Sequence, residues 1–463
     1  MGGGFRAEAV PYIDENGKTQ DTDTLNVTVT NITETNKTFL AGWNYVTGNV
    51  NQDTFSLPNG DVKIILGDGC NLSGMAIQDA SSLTIYAQSS GNNAGKINLS
   101  GSGTNPSLIC SNGDLTINGG NIKVSSPSTT NANIQSQSGN VTINGGQVTI
   151  TGPETYQPGI LIGSGKSITL GYTNADDFIQ AQGYYAGNNS TNPTIADGKI
   201  FGMDNNGTFA SIPVNNGTID ASTIAGKKLI PLSFTVKFDP NSGIGTMDDQ
   251  KIAYSASRAL TANTFTKYGY TFKGWNTKAD GTGTSYTDGA DGSKISSIHN
   301  AIVTLYAQWK LTEYKINYEL NGGTNDSANP SSYTVESETI TLKAPTKEGY
   351  EFAGWTLDGS TITEIAKGSK GDITLIATWT PITYKITYDL DGGSATNPTS
   401  YTIETESFTL NNPAKDGYTF NGWTGTDLTA ATQIVTITKG SMGNREYTAN
   451  YTQNQQEQEQ EQE

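Results

Sequence analysis

The sequence is poor in charged residues, histidine and cysteine, and it has no long apolar run. Charged side chains make up 15% of the 463 residues, and one His and two Cys leave little material for His- or Cys-based metal sites. No apolar segment approaches the ~20 residues of a membrane-spanning helix. The 27 basic and 44 acidic residues give a net charge of −17, which disfavours a polyanionic partner. We therefore predict no nucleic-acid binding, no membrane insertion and no metal or other cofactor.

The chain is rich instead in Gly, Asn, Thr and Ser. Gly alone numbers 54, and this composition favours strands joined by tight turns over long helices. We predict an all-β, extracellular or cell-surface protein. No signal peptide opens the chain, but Ala7-Glu8-Ala9 has the small-residue pattern of a cleavage site. We therefore expect that a signal peptide has been removed; a cytosolic protein is the alternative.

The first half of the chain repeats at a short period. Leu115 aligns with Val141 in "LTINGG" and "VTINGG", a shift of 26 residues, and similar short β-branched strands recur through residues 62–170. A repeat of this length cannot bury its own apolar face, but stacked neighbours can. The period predicts a right-handed parallel β-helix over residues 22–232, after a flexible N-terminus at residues 1–21. Its N-terminal cap would use Trp43 and Tyr45 to cover the first coil.

Two further features concern this half. Cys70 and Cys110 both end or follow strand-like runs, so they are either small apolar fillers or a disulfide between neighbouring coils. The segments "GDVKIILGDGC", "SLTIYAQSSG" and "LTINGG" resemble the right-handed β-helix, carbohydrate-binding-type domains of large secreted proteins of gut bacteria. The resemblance covers about residues 45–230 and does not specify an activity; a glycan- or protein-binding module is one expectation.

The second half contains three longer repeats, predicted as domains at residues 233–311, 312–381 and 382–452. Each has a first strand such as "YKINYELNGG", a central "GY-x-F-x-GW" block and a closing strand such as "TLIATW". The Gly of each Lys-X-Gly-Tyr turn can adopt positive φ. We expect the central Trp residues to pack against an aromatic residue of the closing strand; the pairs are Trp275 with Trp309, Trp355 with Trp379, and Trp423 with Tyr451.

These motifs resemble the Listeria–Bacteroides repeat, also called the internalin-B-type B repeat. The resemblance covers residues 234–451 and implies a β-grasp-like fold, export and attachment to the cell envelope. Two copies depart from the pattern. The first has Pro240-Asn241-Ser242-Gly243 in place of Gly-Gly, and the third has Tyr451 in place of the final Trp.

Few residues are candidates for chemistry, and we predict no catalytic, cofactor-binding or metal-binding residue. Asp176 and Asp177 are adjacent acids, but they follow a turn sequence and neighbouring strand residues point to opposite faces. His299 is predicted to be a loop residue that is solvated or packed. The acids of Asp288-Gly289-Ala290-Asp291-Gly292 could bind Ca²⁺, but the spacing matches no EF-hand, so turn chemistry is the expectation.

The combined prediction is a secreted or cell-surface bacterial adhesion or interaction protein, with no enzymatic activity. Its β-helix would bind a glycan or a host or bacterial surface protein, the repeats would form a stalk, and residues 453–463 would be a disordered Gln/Glu tail. One alternative is a structural subunit that self-assembles through an uncapped C-terminal end of the solenoid. A second alternative is a carbohydrate-active β-helix enzyme.

Overall fold

The computed structural model describes residues 5–6, 9–101, 108–110, 112–127, 132–152, 159–205 and 208–455. The chain divides into two compact units. Unit 1 comprises Met1–Lys267 and Phe272–Trp309, and unit 2 comprises Tyr268–Thr271 and Lys310–Glu463. The fold is all-β, as predicted: three sheets of mainly parallel strands are followed by three smaller mixed sheets.

The three parallel sheets of residues 5–231 wind into a β-helix. Each coil contributes one strand to sheet 1, then one to sheet 3, then one to sheet 2. In spatial order, sheet 1 contains Phe5–Arg6, Val29–Ile32, Gly42–Val46, Asp61–Leu66, Ser82–Ala87, Leu115–Ile117, Val141–Ile143, Ile168–Leu170 and Thr194–Ile195. Sheet 2 contains Asn189–Ser190, Tyr184–Ala186, Ile160–Ile162, Ile134–Ser136, Leu108–Cys110, Ala76–Gln78 and Thr54–Ser56. Sheet 3 contains Thr208–Ser211, Phe201–Asn205, Lys228–Pro231, Phe178–Ala181, Gln147–Thr151, Asn121–Ser125, Lys96–Ser100, Asn71–Gly74 and Asn49–Asn51.

The interior of the β-helix is a ladder of aliphatic side chains. One register position of sheet 1 is fully buried in four successive coils, at Ile85, Ile117, Ile143 and Leu170. Outward positions between them carry Thr, because neighbouring strand residues point to opposite faces. Coil stacking removes the apolar side chains from water, which no single coil could achieve alone.

The register confirms the coil length and decides the role of one cysteine. Leu115 pairs with Val141, as the 26-residue shift predicts. Cys70 lies in the core as a free, buried thiol, so it is a filler and not a disulfide partner. Burial raises the pKa of this thiol to about 11. The side chain of Cys110 lies outside the described residues.

The N-terminal segment differs from the prediction. Pro11–Ile13 and Thr19–Asp21 form an antiparallel hairpin where a flexible N-terminus was expected, followed by a 3₁₀ turn at Thr22–Leu25. Trp43 does not cover the first coil. It lies in a strand of sheet 1, and Tyr12 of the hairpin packs on its ring at 5.0 Å. The hairpin is held because it covers an apolar outer patch on the sheet that would otherwise face water.

The C-terminal end of the solenoid is closed by antiparallel strands. In sheet 3, Phe178–Ala181 pairs antiparallel with Lys228–Pro231. On its other side Lys228–Pro231 pairs antiparallel with Phe201–Asn205, which in turn pairs antiparallel with Thr208–Ser211. In sheet 2, Tyr184–Ala186 pairs antiparallel with Asn189–Ser190. A short helix, Ala221–Ile224, also lies in this region. This end therefore has strand partners of its own and is not the uncapped parallel edge that the sequence suggested.

Each repeat forms a sheet in which the first and closing strands pair in parallel. Repeat 1 contains Gln250–Ala253, Ser233–Asp239, Ile302–Leu311, Tyr270–Asn276 and Ser285–Tyr286 in spatial order. Repeat 2 contains Ser332–Tyr333, Tyr314–Glu319, Ile373–Pro381, Tyr350–Leu357 and Ser360–Ile362, with a second sheet of Ile340–Thr341 and Glu364–Ile365. Repeat 3 contains Ser400–Tyr401, Tyr384–Asp389, Arg445–Gln453 and Tyr418–Gly425, with a second sheet of Phe408–Thr409 and Thr436–Ile437.

The aromatic core of the repeats is arranged differently from the prediction. In repeat 2, the ring of Phe352 lies between the two Trp rings, at 5.4 Å from Trp355 and 5.6 Å from Trp379. Residues three apart would point to opposite faces of a regular strand. A register shift between Phe352 and Gly354, where Gly354 has φ of 144°, turns both rings to one face. The same shift occurs in repeat 3 between Phe420 and Gly422.

Candidate functional site

A cleft of about 580 Å³ lies within unit 1, between the last coils of the β-helix and repeat 1. Three of its residues, Asp176, Asp177 and His299, are the ones that the sequence analysis considered separately for chemistry. The fold brings them to one cleft together with charged residues that the sequence did not single out; these are Asp204, Lys228 and Lys251.

Asp177 holds the shape of the loop that borders the cleft. Its buried Oδ2 accepts hydrogen bonds from the backbone N–H groups of Thr173 and Asn174, both at 2.8 Å, and from the Thr173 hydroxyl at 3.3 Å. Burial raises the pKa of this carboxyl to about 6, although the hydrogen bonds oppose the shift. The carboxyl group is therefore committed to loop structure.

Asp176 instead points to repeat 1. Its Oδ1 lies 3.4 Å from Nζ of Lys251, which belongs to the second strand of repeat 1. Both side chains are about half exposed, so this ion pair contributes little to stability. Asp176 and Asp177 have separate partners and do not form the facing pair of carboxyls that a glycosidase uses.

His299 is packed at the edge of the cleft. Its ring stacks on the ring of Phe209 with a centroid distance of 4.0 Å and an interplanar angle of 18°. Its Nδ1 accepts a hydrogen bond from the backbone N–H of Ser233 at 3.2 Å. Burial, followed by the positive charge of Lys251, lowers the pKa of His299. Because Nδ1 accepts this bond, the uncharged ring would carry its proton on Nε2.

The lining of the cleft also includes an ammonium group over an aromatic ring. Nζ of Lys228 lies 4.5 Å from the ring centroid of Phe178 and 3.8 Å from Oδ2 of Asp204. These residues come from adjacent strands of sheet 3. The sequence did not reveal this arrangement. The strand that carries Lys228 joins sheet 3 in the antiparallel direction after an irregular segment, and no repeat in the sequence indicates that pairing.

A second cleft of about 560 Å³ lies beside the first and shares Asp176 and Lys251 with it. It is bordered by residues of repeat 1, including Asp248, Asp249 and Arg258. The ion pair of Asp176 and Lys251 thus separates two polar clefts whose walls carry both signs of charge. Across the described part of the chain, no group of three or more His, Cys, Asp or Glu side chains is placed to bind a metal ion.

The two Asp-Gly steps near residue 290 serve as turns. Oδ1 of Asp288 accepts a hydrogen bond from the backbone N–H of Asn263 at 2.9 Å. Oδ1 of Asp291 accepts hydrogen bonds from the backbone N–H groups of Ser293 at 2.9 Å and Arg258 at 3.2 Å. The bond from Ser293 to Asp291 is the local turn chemistry expected from the sequence. The bonds from Asn263 and Arg258 join segments of repeat 1 that lie apart in sequence.

The repeats are identified by comparison with known families. A family model of the Listeria–Bacteroides repeat domain matches residues 234–308, 314–378 and 384–454. Residues 234–454 contain three tandem Listeria–Bacteroides repeats. The bulged central strand, the aromatic core and the parallel pairing of the first and closing strands are therefore features of this repeat as it occurs here.

Related proteins carry similar segments. A glycine-rich protein of Evansella cellulosilytica that is named as a membrane protein is 33% identical over 199 residues, which are 41% of this chain and 22% of the relative. A second protein of that organism, also named as a membrane protein, is 32% identical over 205 residues, 41% of this chain and 27% of the relative. Internalin H of Listeria monocytogenes is 37% identical over 115 residues, 24% of this chain and 21% of the relative.

The chain therefore spans about a quarter of the length of these relatives. Together, the three repeats and these relatives indicate a surface-associated bacterial protein, and none of the three relatives is named as an enzyme. In the parts of the chain that the structure describes, no helix has the length and apolar character needed to cross a lipid bilayer.

Proposed function

We propose that the protein is a surface-displayed bacterial adhesion protein whose binding module is formed by the β-helix and repeat 1. The observation that carries this proposal is the set of three tandem Listeria–Bacteroides repeats. A part of the chain is also similar to an internalin. The other two relatives are named as membrane proteins, which supports location at the cell envelope. The remaining repeats would act as a spacer.

The ligand proposed for the cleft of about 580 Å³ is an oligosaccharide. Sugar hydroxyl groups both donate and accept hydrogen bonds, so they suit a wall with the acceptor Asp204 beside the donor Lys228. The ring of Phe178 offers an apolar surface in the same wall. Ligand sites commonly combine such an apolar surface with a few convergent polar groups.

Binding suits these residues better than catalysis. The carboxyl of Asp177 is committed to its loop, and Nδ1 of His299 is occupied by a backbone N–H group. The Asp177 carboxyl is therefore not available as a general acid or base, and His299 could transfer a proton only through Nε2. Self-assembly through the end of the solenoid is also less well supported, because antiparallel strands occupy that end.

The proposal is tested with the full chain on an array of neutral and acidic oligosaccharides, followed by calorimetric titration of any ligand found. Lys228→Met and Asp204→Asn each remove a charge with little change of shape, and each should weaken binding about tenfold. Asp358→Asn, in an exposed turn of repeat 2, is the matched control and should bind normally. If no oligosaccharide binds, or if the cleft variants bind like the control, the glycan proposal is wrong.

A further inference from the structure

One contact recurs along the chain: a turn of one domain packs on a glycine of the preceding one. The glycines have nearly equal positive φ, namely Gly198 at 71°, Gly269 at 74° and Gly349 at 78°. The residues that pack on them are equivalent positions just after the second strand of a repeat. We call these two-residue segments the tips; they are Tyr254-Ser255, Val335-Glu336 and Ile403-Glu404.

Each tip is so close to its glycine that no side chain could be accommodated there. A Cβ on Gly349 would lie 2.5 Å from Cδ1 of Ile403, and one on Gly269 would overlap Val335. Both of these contacts lie inside unit 2. In unit 1, a Cβ on Gly198 would lie 2.9 Å from Oγ of Ser255.

A hydrogen bond accompanies the two contacts of unit 2. The hydroxyl of Tyr350 donates to Oε1 of Glu404 at 2.9 Å, and the hydroxyl of Tyr270 donates to Oε1 of Glu336. Nζ of Lys347 lies 3.9 Å from the ring centroid of Tyr350. The contact at Gly349 therefore has three parts. An aliphatic side chain packs on the glycine, a Glu accepts a hydrogen bond from a Tyr hydroxyl, and a Lys ammonium lies over the ring of that Tyr.

Repeat 3 has the same acceptor but no tip on it. Gly417 has φ of 76°, and the backbone N–H of Asn454 donates to its carbonyl at 2.9 Å, just as Ile382 does to Gly349 at 3.0 Å. Nζ of Lys415 lies 4.4 Å from the ring centroid of Tyr418. Among the described residues, no atom lies within 4 Å of a Cβ placed on Gly417, and Tyr418 is 37% exposed.

We propose that Lys415, Gly417 and Tyr418 form a docking site for a further Listeria–Bacteroides repeat, whose tip carries a branched aliphatic residue followed by Glu. The two contacts of unit 2 supply the geometry. At the Tyr350 contact, the Lys on the Tyr ring and the Glu at its hydroxyl supply the charge complementarity. A second copy of this chain does not fit the site, because each of the three tips already packs on a glycine of its own chain.

The test extends the full chain with one more repeat. A second copy of residues 313–381 is inserted directly after Asn454, ahead of residues 455–463. This junction is chosen because the backbone N–H of Asn454 donates to the carbonyl of Gly417 as that of Thr312 donates to the carbonyl of Gly269. A matched chain carries the added tip with Val335→Asp and Glu336→Lys. Hydrogen–deuterium exchange is followed by mass spectrometry in residues 413–421, whose sequence remains unique in both chains.

With the intact tip we expect exchange in residues 413–421 to slow about fivefold or more relative to the original chain, and with the altered tip to stay unchanged. As a positive control, Ile403→Asp with Glu404→Lys in the original chain should accelerate exchange in residues 347–350. Peptides shared by repeat 2 and the added copy should show a single uptake population, which establishes that the addition is folded. Equal exchange with the intact and the altered tip, in folded chains, would overturn the proposal.

Discussion

At the scale of single residues, the aromatic side chain of each closing strand explains why a glycine is needed in the turn after the first strand of the same repeat. The aromatic ring occupies the space that a Cβ at that position would need. Nε1 of Trp379 donates to the carbonyl of Leu320 at 3.0 Å, and its ring lies over Gly323. In repeat 3 the hydroxyl of Tyr451 donates to Leu390 at 3.2 Å, so the Tyr that departs from the motif retains the bond. In repeat 1, Gly243 lies under Trp309, so the departure there is also accommodated.

Gly323→Ala should therefore destabilise repeat 2 by about 2–3 kcal/mol. The new Cβ would lie 2.5 Å from Cζ2 of Trp379 and 3.0 Å from the carbonyl oxygen of Thr346. The measurement is the opening free energy of Ile373–Pro381 from hydrogen exchange under increasing urea. Gly359→Ala is the control: it has positive φ but open space around it, so it should cost only about 1 kcal/mol. Equal costs would show that the ring does not exclude the methyl group.

Asp177 predicts a pH dependence of stability. Its pKa in the folded chain is about 6, above the ordinary 3.8, so the folded state binds the proton more tightly than the unfolded state. Its contribution to the free energy of unfolding is therefore largest at low pH, and it falls by about 1.4 kcal/mol per pH unit between ~4 and ~6. Asp177→Asn keeps an acceptor for the loop and removes this titration.

Calorimetry of the β-helix transition at pH 4, 5, 6 and 7 checks this prediction. The stability of Asp177→Asn relative to the original chain should increase from pH 4 to pH 6 and then remain level. A difference that is constant over this range would contradict the raised pKa.

At the scale of elements, the bulged central strand is the feature on which the repeat core depends. The glycine at the bulge has φ of 134° at Gly422 and 144° at Gly354, a region that other residues rarely adopt. The bulge places the Phe and the Trp of one strand on the same face. Without it, one of the two rings would point to solvent.

The two equivalent bulge glycines should tolerate alanine unequally. Both variants impose backbone strain of about 1–3 kcal/mol. A Cβ on Gly422 would also lie 2.7 Å from the backbone nitrogen of Thr432, whereas one on Gly354 meets only the Thr361 methyl group at 3.3 Å. We expect Gly422→Ala to cost its repeat about 2 kcal/mol more than Gly354→Ala costs repeat 2. Local opening energies from hydrogen exchange measure both, and a larger cost for Gly354→Ala would refute this account.

At the scale of the whole molecule, the main finding is that the β-helix and repeat 1 form one compact unit. The hydroxyl of Tyr172 donates to the carbonyl of Tyr254 at 2.8 Å and accepts from the backbone N–H of Ile200 at 2.9 Å. Ala253 and Ala256 of repeat 1 are part of the β-helix core. The polar clefts exist because of this packing, so binding at them would depend on both domains.

Tyr172→Phe should destabilise unit 1 by about 1–3 kcal/mol, because a partly buried N–H and a partly buried carbonyl lose their partner. Tyr184→Phe is the matched control. Tyr184 is equally buried, but its hydroxyl has no hydrogen-bond partner among the described residues, so its removal should be neutral or slightly stabilising. Calorimetric unfolding of the two variants checks the difference, and equal effects would exclude a joining role for the Tyr172 hydroxyl.

The sequence alone determined the features that repeat. The spacing of Leu115 and Val141 indicated the length of a β-helix coil, because stacked coils pair equivalent residues. The "GY-x-F-x-GW" blocks indicated the longer repeats of the second half, because the Phe and Trp rings of each block form the core of its repeat. The bulge, the N-terminal hairpin and the closed end of the solenoid were not evident. They depend on pairing between segments that are not copies of one repeat, and the sequence contains no pattern that indicates which of these segments pair.

Only the tertiary structure decided which charged groups share a cleft. Asp176, Lys228 and His299 are far apart in sequence, and their proximity follows from an antiparallel return strand and from the packing of repeat 1 on the solenoid. Local residue patterns express the period and the turns of a chain, since those depend on near neighbours. A site between two domains depends on how they pack, and that is set by burial over the whole surface of contact.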